Sequence, residues 1–584
     1  MSILIALLAG LIAGWAFARG RHDRIRLALV SAVLGAGIAG VVATIAGEEP
    51  VAGGALGVLA AAVIARVIGQ AASSRWITAV LAGLLLLRLA VALGGGLPLT
   101  PDEAQYWDWS RTLDLAYYSK PGGIAWLIHG WTTLTGDSLA ALRLLGLALA
   151  GLTMVLTWRL ARCASGSCAS GSSETAWLAT LVAACLPIHA AFAGVITTDV
   201  PLSLCWAGFL VVLLRTPAGG GTSAWWHGPA LGLLLAAGLN AKYAMLYAPL
   251  AIAGAACALP QLRCWLRTPA PWVALAIGLA GLLPAMLWNR DHGWIGFLHV
   301  AGQGGAGKSF GLHPFFVLDY LAGQLAVGLP ASLLLIPACR WAWRQRSERP
   351  APWLLAMAAL TPLVVLLAAC LQTRVQANWP AMAWIPAAVL VAWWVAEDGR
   401  RWPRRTMIAG ASLGVVAAIL LAALPSIRPL LPDIPPSVPE RKLAGWDDLA
   451  FAVAQLVEDQ PERTVVLTAG YDVAAELAWH NRHLPRPLCA NFGRRMNQYD
   501  LWDRLGSDHL GQDVIFAMEL DRKDALDGDL RSRLPAGLTG DFAGCDQPIV
   551  VDVVRGPRTW RRFLVVRLRA FDGVLDSAQP VTTW

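Results

Sequence analysis

Apolar blocks of about 15–25 residues recur from the start of the chain to about position 425, separated by short polar loops. A helix needs about 20 apolar residues to cross a bilayer. The pattern therefore predicts about fourteen transmembrane helices, at 2–18, 27–47, 51–70, 76–97, 138–158, 175–194, 201–215, 228–241, 243–260, 272–288, 313–338, 351–371, 380–396 and 406–425. After Pro425 the pattern changes. A Pro-rich stretch, 429–439, favours extended linker. Beyond it the periodicity predicts helices at 447–458 and 471–480 and strands at 464–468, 514–518, 549–554 and 563–568. The fold class expected is a polytopic α-helical membrane protein with a small C-terminal soluble α/β domain: 1–75 as extra N-terminal transmembrane helices, 76–425 as a membrane domain, 426–584 as the soluble part.

Composition narrows the class. Only 14% of the 584 residues are charged, 57% are hydrophobic, and the mean hydropathy is +0.55, against about 25% charged in a soluble domain. That excludes a soluble enzyme, a disordered chain and a disulfide-stapled scaffold. The net charge of +8 is no nucleic-acid signal, because the arginines sit in short loops instead of on one soluble face. Loops at Arg159/Arg162, Arg215, Arg263/Arg267, 340–349 and 400–405 all fall on one side when the spans alternate, which makes that side cytoplasmic. The basic stretch 19–26 follows the first apolar run, so the run reads as a span and not as a signal peptide. Both termini, and loops 98–137, 195–200, 289–312 and 372–379, are expected outside. Cys163, Cys168, Cys264 and Cys339 then face the reducing side, while Cys489 and Cys545 would be free to pair if the tail is outside.

The outer loops hold the residues that could do chemistry. Asp102 and Glu103 are adjacent acids where a membrane helix emerges, inside the cluster Tyr106, Trp107, Trp109. An Asp there could act as a general base toward a hydroxyl; the competing reading makes Thr100 or Asp102 a helix cap with Glu103 in the first turn. Lys120 follows Tyr117 and Tyr118 and precedes Pro121, and could hold a phosphate as a point charge. The aromatic stretch after it is too short to span and reads as an interfacial helix. Asp199, the only acid between two apolar spans, has a capping reading too. Lys242 sits at a break between spans, where an ionisable residue is a functional candidate and snorkelling the alternative. Asn289, His292, Arg374 and Asn378 add polar groups on the same side.

Gly302–Ser309 matches GxxxxGK[ST] in full, but the pattern carries a nucleotide site only between a strand and a helix. In an outer loop between membrane helices it predicts none, and Lys308 stays a secondary phosphate candidate. No metal-binding constellation stands out; no cofactor is indicated, although a divalent metal would be compatible with the chemistry.

PDEAQYWDWSRTLDLAYYSKPG, ITTDVPL, GLNAKY, WNRDHGW and QANWP, in this order, resemble bacterial membrane glycosyltransferases of the dolichyl-phosphate-mannose protein mannosyltransferase superfamily. These are the GT-C fold enzymes that include the lipid A 4-amino-4-deoxy-L-arabinose transferase. The resemblance covers about residues 76–425. It implies a GT-C-like catalytic domain that moves a sugar, with inversion, from a polyprenyl-phosphate donor to a lipid, glycan or protein acceptor at the periplasmic face of a bacterial inner membrane. It points to Asp102 as base with Glu103 beside it, Asp199 as the second-loop acid, and Lys120 on the carrier phosphate. Lys242 and Arg374 would be further phosphate or sugar contacts, with Tyr118, Asn289, His292 and Asn378 completing the candidate substrate set. Two departures are the extra N-terminal spans and SKPGG where a second Pro often follows the first. The rival reading is a transporter or flippase for a lipid-linked sugar, whose polar groups should gather near the midplane on broken helices.

Overall fold

The computed structural model describes residues 74–94, 97–164, 172–215, 226–307, 311, 313–427, 437–458, 461–522 and 529–573. The predicted spans 2–18, 27–47 and 51–70, and Cys168 and Lys308, lie outside them.

The membrane part is a helical bundle: α1 Ser74–Leu93, α2 Pro101–Ser110, a hairpin of β1 Ala116–Tyr117 and β2 Lys120–Pro121, α3 Gly123–Thr135, α4 Leu139–Ala164, α5 Ser172–Cys185, α6 Asp199–Arg215, α7 His227–Ala241 and α8 Tyr247–Ala256. It continues through α9 Pro269–Ala280, α10 Leu283–Asp291, α11 Ile295–Gln303, α12 Pro314–Val327, α13 Ala331–Gln345, α14 Pro350–Ala369, α15 Trp384–Asp398 and α16 Arg401–Ile427. Among the described residues four helices are long and apolar enough to cross a membrane: Leu139–Ala164, Pro269–Asp291, Pro350–Ala369 and Ala381–Asp398.

Several expected spans are broken, and each break has a local cause. The span at 313–338 is two helices, α12 and α13, bent by 92°. Pro330 in the connection cannot donate to a helical ladder, and a Cβ on Gly328 would lie 2.5 Å from the Trp384 ring. The span at 175–194 ends at Cys185, two residues before Pro187, and a short helix Pro187–Phe192 follows. Lys242 is extended (φ −162°, ψ 137°) between α7 and a 3-10 turn, Tyr243–Leu246, that leads into α8. That break is where the sequence places one.

The shared core of these helices includes Trp206, Leu210, Leu235, Leu239, Leu355, Trp384 and Leu390.

After a short helix, Val438–Leu443, the tail contains α17 Trp446–Glu458, β3 Thr464–Thr468, α18 Tyr471–His480, β4 Leu488–Cys489 and β5 Asp513–Leu520, then β6 Phe542–Cys545, β7 Ile549–Arg555 and β8 Arg558–Phe571. The sheet runs β4-β3-β5-β8-β6, with β7 also on β8. β3 is parallel to β4 and β5, while β8 is antiparallel to β5, β6 and β7. Helix α17 packs on one face through Trp446, Leu449 and Val453 against Ile515 and Val565. The expected strand 563–568 is the middle of the longer β8, on which Arg561, buried over the Trp446 ring, pairs with Glu519 and Arg562 pairs with Asp552. Cys489 and Cys545 do not pair. Both are free thiols on strands β4 and β6, four strand steps apart at about 4.8 Å each, far beyond the roughly 4.4–6.8 Å between Cα atoms that a disulfide spans.

The tail is docked on helices α2 and α3 and the loop before them. Ala474, Ala478, Trp479 and Tyr499 share one core with Leu99, Trp107, Trp109 and Ile128, and the Trp107 and Trp479 rings meet edge to face at 4.9 Å.

Candidate active site

Thr100 and Glu103 anchor the start of helix α2, and the two acids diverge from there. Thr100 is the N-cap. Its hydroxyl accepts from the Glu103 N–H, and Glu103 accepts from the Thr100 N–H at 3.0 Å, a full capping box. Glu103 is wholly buried. Its carboxylate also pairs with Arg143 of α4 and accepts from the Ile196 N–H at 2.8 Å. Arg143 in turn donates to the Pro98 and Gly194 carbonyls at 2.7 and 3.1 Å. This network pins loop 97–100 to loop 194–196. Glu103 points into the protein and is not beside Asp102 at an open face, so the geometry makes it a positioning group instead of the catalytic neighbour expected.

Asp102 is left without a capping task. It is exposed, and its Oδ1 accepts from the Tyr471 hydroxyl of α18 at 3.2 Å. Asp199 begins α6 and is buried. Lys242 Nζ lies 2.7 Å from Asp199 Oδ1, and Asn378 Nδ2 is 3.4 Å from Oδ2. Three residues predicted from separate loops are thus one cluster.

Lys120 joins them through the β1–β2 hairpin. Gly123 allows the approach, since a Cβ there would lie 2.3 Å from the Asn240 carbonyl, two residues before Lys242. The Lys120 ammonium is pushed down to about 8, first by burial and then by the Lys242 charge, against the opposing pull of Asp102 and Asp199; Arg495 also lowers it. The charges of Asp102, Asp199 and Lys242 therefore all reach Lys120. The Tyr118 and His299 rings meet at a tilt of 48°, with centroids 4.7 Å apart. Burial, Arg495 and Lys120 hold the His299 imidazole far down, at about 3, so it is neutral at pH 7.

The remaining candidates do other things. Asn289 is buried and fixes the α10–α11 turn, donating to Ala285 O at 2.8 Å and accepting from the Phe297 N–H at 2.9 Å. His292 caps α10, bonded to Trp288 O at 2.8 Å and stacked on the Trp288 ring at 4.0 Å. Arg374 forms an exposed pair with Asp319 at 2.9 Å and touches none of the other candidates among the described residues. The Gly-rich segment follows helix α11 instead of a strand, so it lacks the context of a nucleotide loop. Among the described residues no group of three or more His, Cys, Asp or Glu is placed to hold a metal ion.

The sequence assigns no role to Asp108, Tyr471 or the segment 491–502, although Asn491–Trp502 resembles part of an outer domain in some relatives. Asp108 is fully buried and pairs with Arg486 at 2.9 Å, while the Tyr499 hydroxyl donates to it at 2.8 Å. Burial raises its carboxyl, with Arg486 and Tyr499 pulling the other way. The Tyr118 N–H donates to Gln498 Oε1 at 2.7 Å. These partners are more than 370 residues apart, and an aromatic cluster around a second acid was the one local signal. Arg486→Ala should strip the cation from buried Asp108 and cost about 2 kcal/mol. A lower unfolding temperature with faster proteolysis of the C-terminal domain would register it.

A cavity of about 430 Å³ between α1, α4, α5 and α6 has apolar walls, including Leu81, Leu85, Met154, Trp158 and Trp177, and Asp199 is part of its lining.

Residues 119–288 match the family described as dolichyl-phosphate-mannose-protein mannosyltransferase. A lipid A galacturonosyltransferase of Rhizobium johnstonii, RgtD, is 27% identical over 386 residues, which cover 64% of this chain and 76% of that protein. Two structures of ArnT from Cupriavidus metallidurans share the fold at 15% identity. The one bound to undecaprenyl phosphate has a TM-score of 0.57 and the apo one 0.55; each covers 87% of this chain, and 100% and 99% of the ArnT chains are covered.

Proposed function

We propose, for a chain whose fold and motifs are those of GT-C membrane glycosyltransferases, that it transfers a sugar from a polyprenyl-phosphate donor to a lipid acceptor at the periplasmic face. The observation that carries this reading is the convergence of an exposed, uncapped Asp102 with Lys120 and the Asp199–Lys242 pair at the outer ends of membrane helices. The apolar cavity reaching Asp199 suits a substrate with a lipid chain attached to a polar head. A lipid acceptor is favoured because lipid A stands in the name of the Rhizobium relative. Fourteen spans, an outer tail and inversion at the anomeric carbon are parts of the same proposal.

The chemistry balances without a nucleotide. The acceptor hydroxyl oxygen bonds to the anomeric carbon while its proton passes to Asp102. The bond from that carbon to the phosphate oxygen breaks, and the electron pair leaves with the carrier phosphate, which gains one negative charge. Lys120 meets that growing charge. Lys242 neutralises Asp199, and Asn378 holds the Asp199 carboxylate in place.

Lys120→Ala should weaken binding of a polyprenyl phosphodiester and slow transfer together. A phosphodiester carries one charge throughout the neutral range, so its titration does not interfere. Lys120 is protonated below about 8; affinity should therefore be full at pH 7, fall as pH rises through about 8, and show no such step in Lys120→Ala. A pH-independent affinity in the unaltered protein between 7 and 9 would remove Lys120 from the phosphate. The same assay tests the function: transfer of labelled sugar to lipid in liposomes supports the enzyme, and flipping without transfer supports the transporter.

A further inference from the structure

We propose that the C-terminal domain supplies a phosphate-binding residue to this site, Arg495, which acts with Lys120 on the carrier phosphate. The inference rests on the reading of Lys120 just given and extends it to a part of the chain with no assigned role.

Arg494 and Arg495 are neighbours with opposite surroundings. Arg494 is spent on its own domain, with Asp500 at 2.8 and 3.0 Å, the Ala469 carbonyl at 2.8 Å and the Cys489 sulfur at 3.0 Å. Arg495 is exposed and has no ion-pair partner among the described residues. Lys120 likewise has none.

The segment that carries Arg495 is fixed against the loop that carries Lys120. Gln498, three residues on, accepts the Tyr118 N–H at 2.7 Å in a buried contact, and Tyr118 is two residues before Lys120. Tyr499 bonds to buried Asp108 at 2.8 Å. Arg494 and Asn497 both hold Asp500, so the loop has little freedom at either side of residue 495. The charge of Arg495 reaches Lys120, Tyr118, His299 and Tyr471. The groups that feel this charge lie on the β1–β2 hairpin, on α11 and on α18.

Two unpaired cations that repel each other across a fixed distance are unfavourable unless an anion comes between them. A phosphate does so, taking a forked contact from the arginine and a point charge from the lysine. Neutral His299 beside them adds no competing positive charge. The outcome is a two-sided clamp whose second jaw arrives only when the tail is docked.

The test measures binding of undecaprenyl phosphate to the full-length protein in nanodiscs, with phosphatidic acid as a second phosphomonoester lipid. Arg495→Ala should weaken undecaprenyl phosphate binding by about tenfold, Arg495→Lys should recover part of it, and the unfolding temperature should not move. Arg522→Ala removes an exposed arginine elsewhere in the same domain and should have no effect. If Lys120→Ala weakens binding while Arg495→Ala matches Arg522→Ala, the inference falls and the reading of the site stands. If both lipids bind equally and Arg495→Ala weakens both alike, the arginine serves any phosphate lipid and the assignment to the carrier is wrong. If the unaltered protein does not bind undecaprenyl phosphate, and Lys120→Ala is silent, the reading of the site falls and takes the inference with it.

Discussion

Asp102→Asn should lower transfer by about 10²–10⁴-fold, the usual effect of losing a general base, with folding and donor binding intact. The geometry makes this substitution unusually clean. The helix start is held by Thr100 and Glu103, so Asp102 can change without uncapping α2. An Asn oxygen can still accept from the Tyr471 hydroxyl, which keeps the side chain where it is. What disappears is the ability to take a proton. Transfer within a few-fold of the unaltered protein would assign the proton to another group and leave Asp102 as a surface residue of the α2–α18 contact.

Glu103→Ala should act on stability instead, by about 3–5 kcal/mol, because it strands the buried Arg143 guanidinium without its carboxylate. Arg143 and Glu103 are about equally buried, at 4% and 0% exposure, so water cannot replace the lost partner. The same change removes half of the capping box and releases the Ile196 N–H. Thermal unfolding in detergent would read the loss directly. Activity should fall too, since the network ties together the loops bearing Asp102 and Asp199. A Glu103→Ala protein with near-normal stability and no transfer would return Glu103 to the chemistry.

What the sequence made legible was mostly local. The sequence marks Thr100 or Asp102 as the helix cap with Glu103 in the first turn, and Thr100 is the one that caps; the break at Lys242 follows from a polar pair, Asn240 and Lys242, inside apolar sequence. Strand β3 and helix α18 begin and end where the alternation and periodicity of residues 464–480 place them. The bend at Gly328–Pro330 was missed because hydropathy averages over a proline. Long-range pairing was beyond reach for a different reason. Whether Glu103 or Asp102 faces the open side depends on Arg143, 40 positions away, and nothing in either segment names its partner. Asn289 and His292 looked like ligands because polar residues in an outer loop are conspicuous, yet both are consumed in holding a turn. Asp108 carried the same acid-among-aromatics signature as Asp102, and only the tail shows it to be a docking point.

A sugar that leaves a polyprenyl phosphate and arrives on a lipid through Asp102 must leave its mark on the envelope lipids. Mass spectrometry of envelope lipids tests it most directly, comparing cells with the unaltered protein, without it, and with Asp102→Asn at equal abundance. One lipid species heavier by a single sugar should be present in the first cells and absent from both of the others. Persistence of that species in Asp102→Asn cells, with its loss only when the whole protein is removed, would contradict the account and favour a chain that delivers the lipid-linked sugar for another enzyme to use.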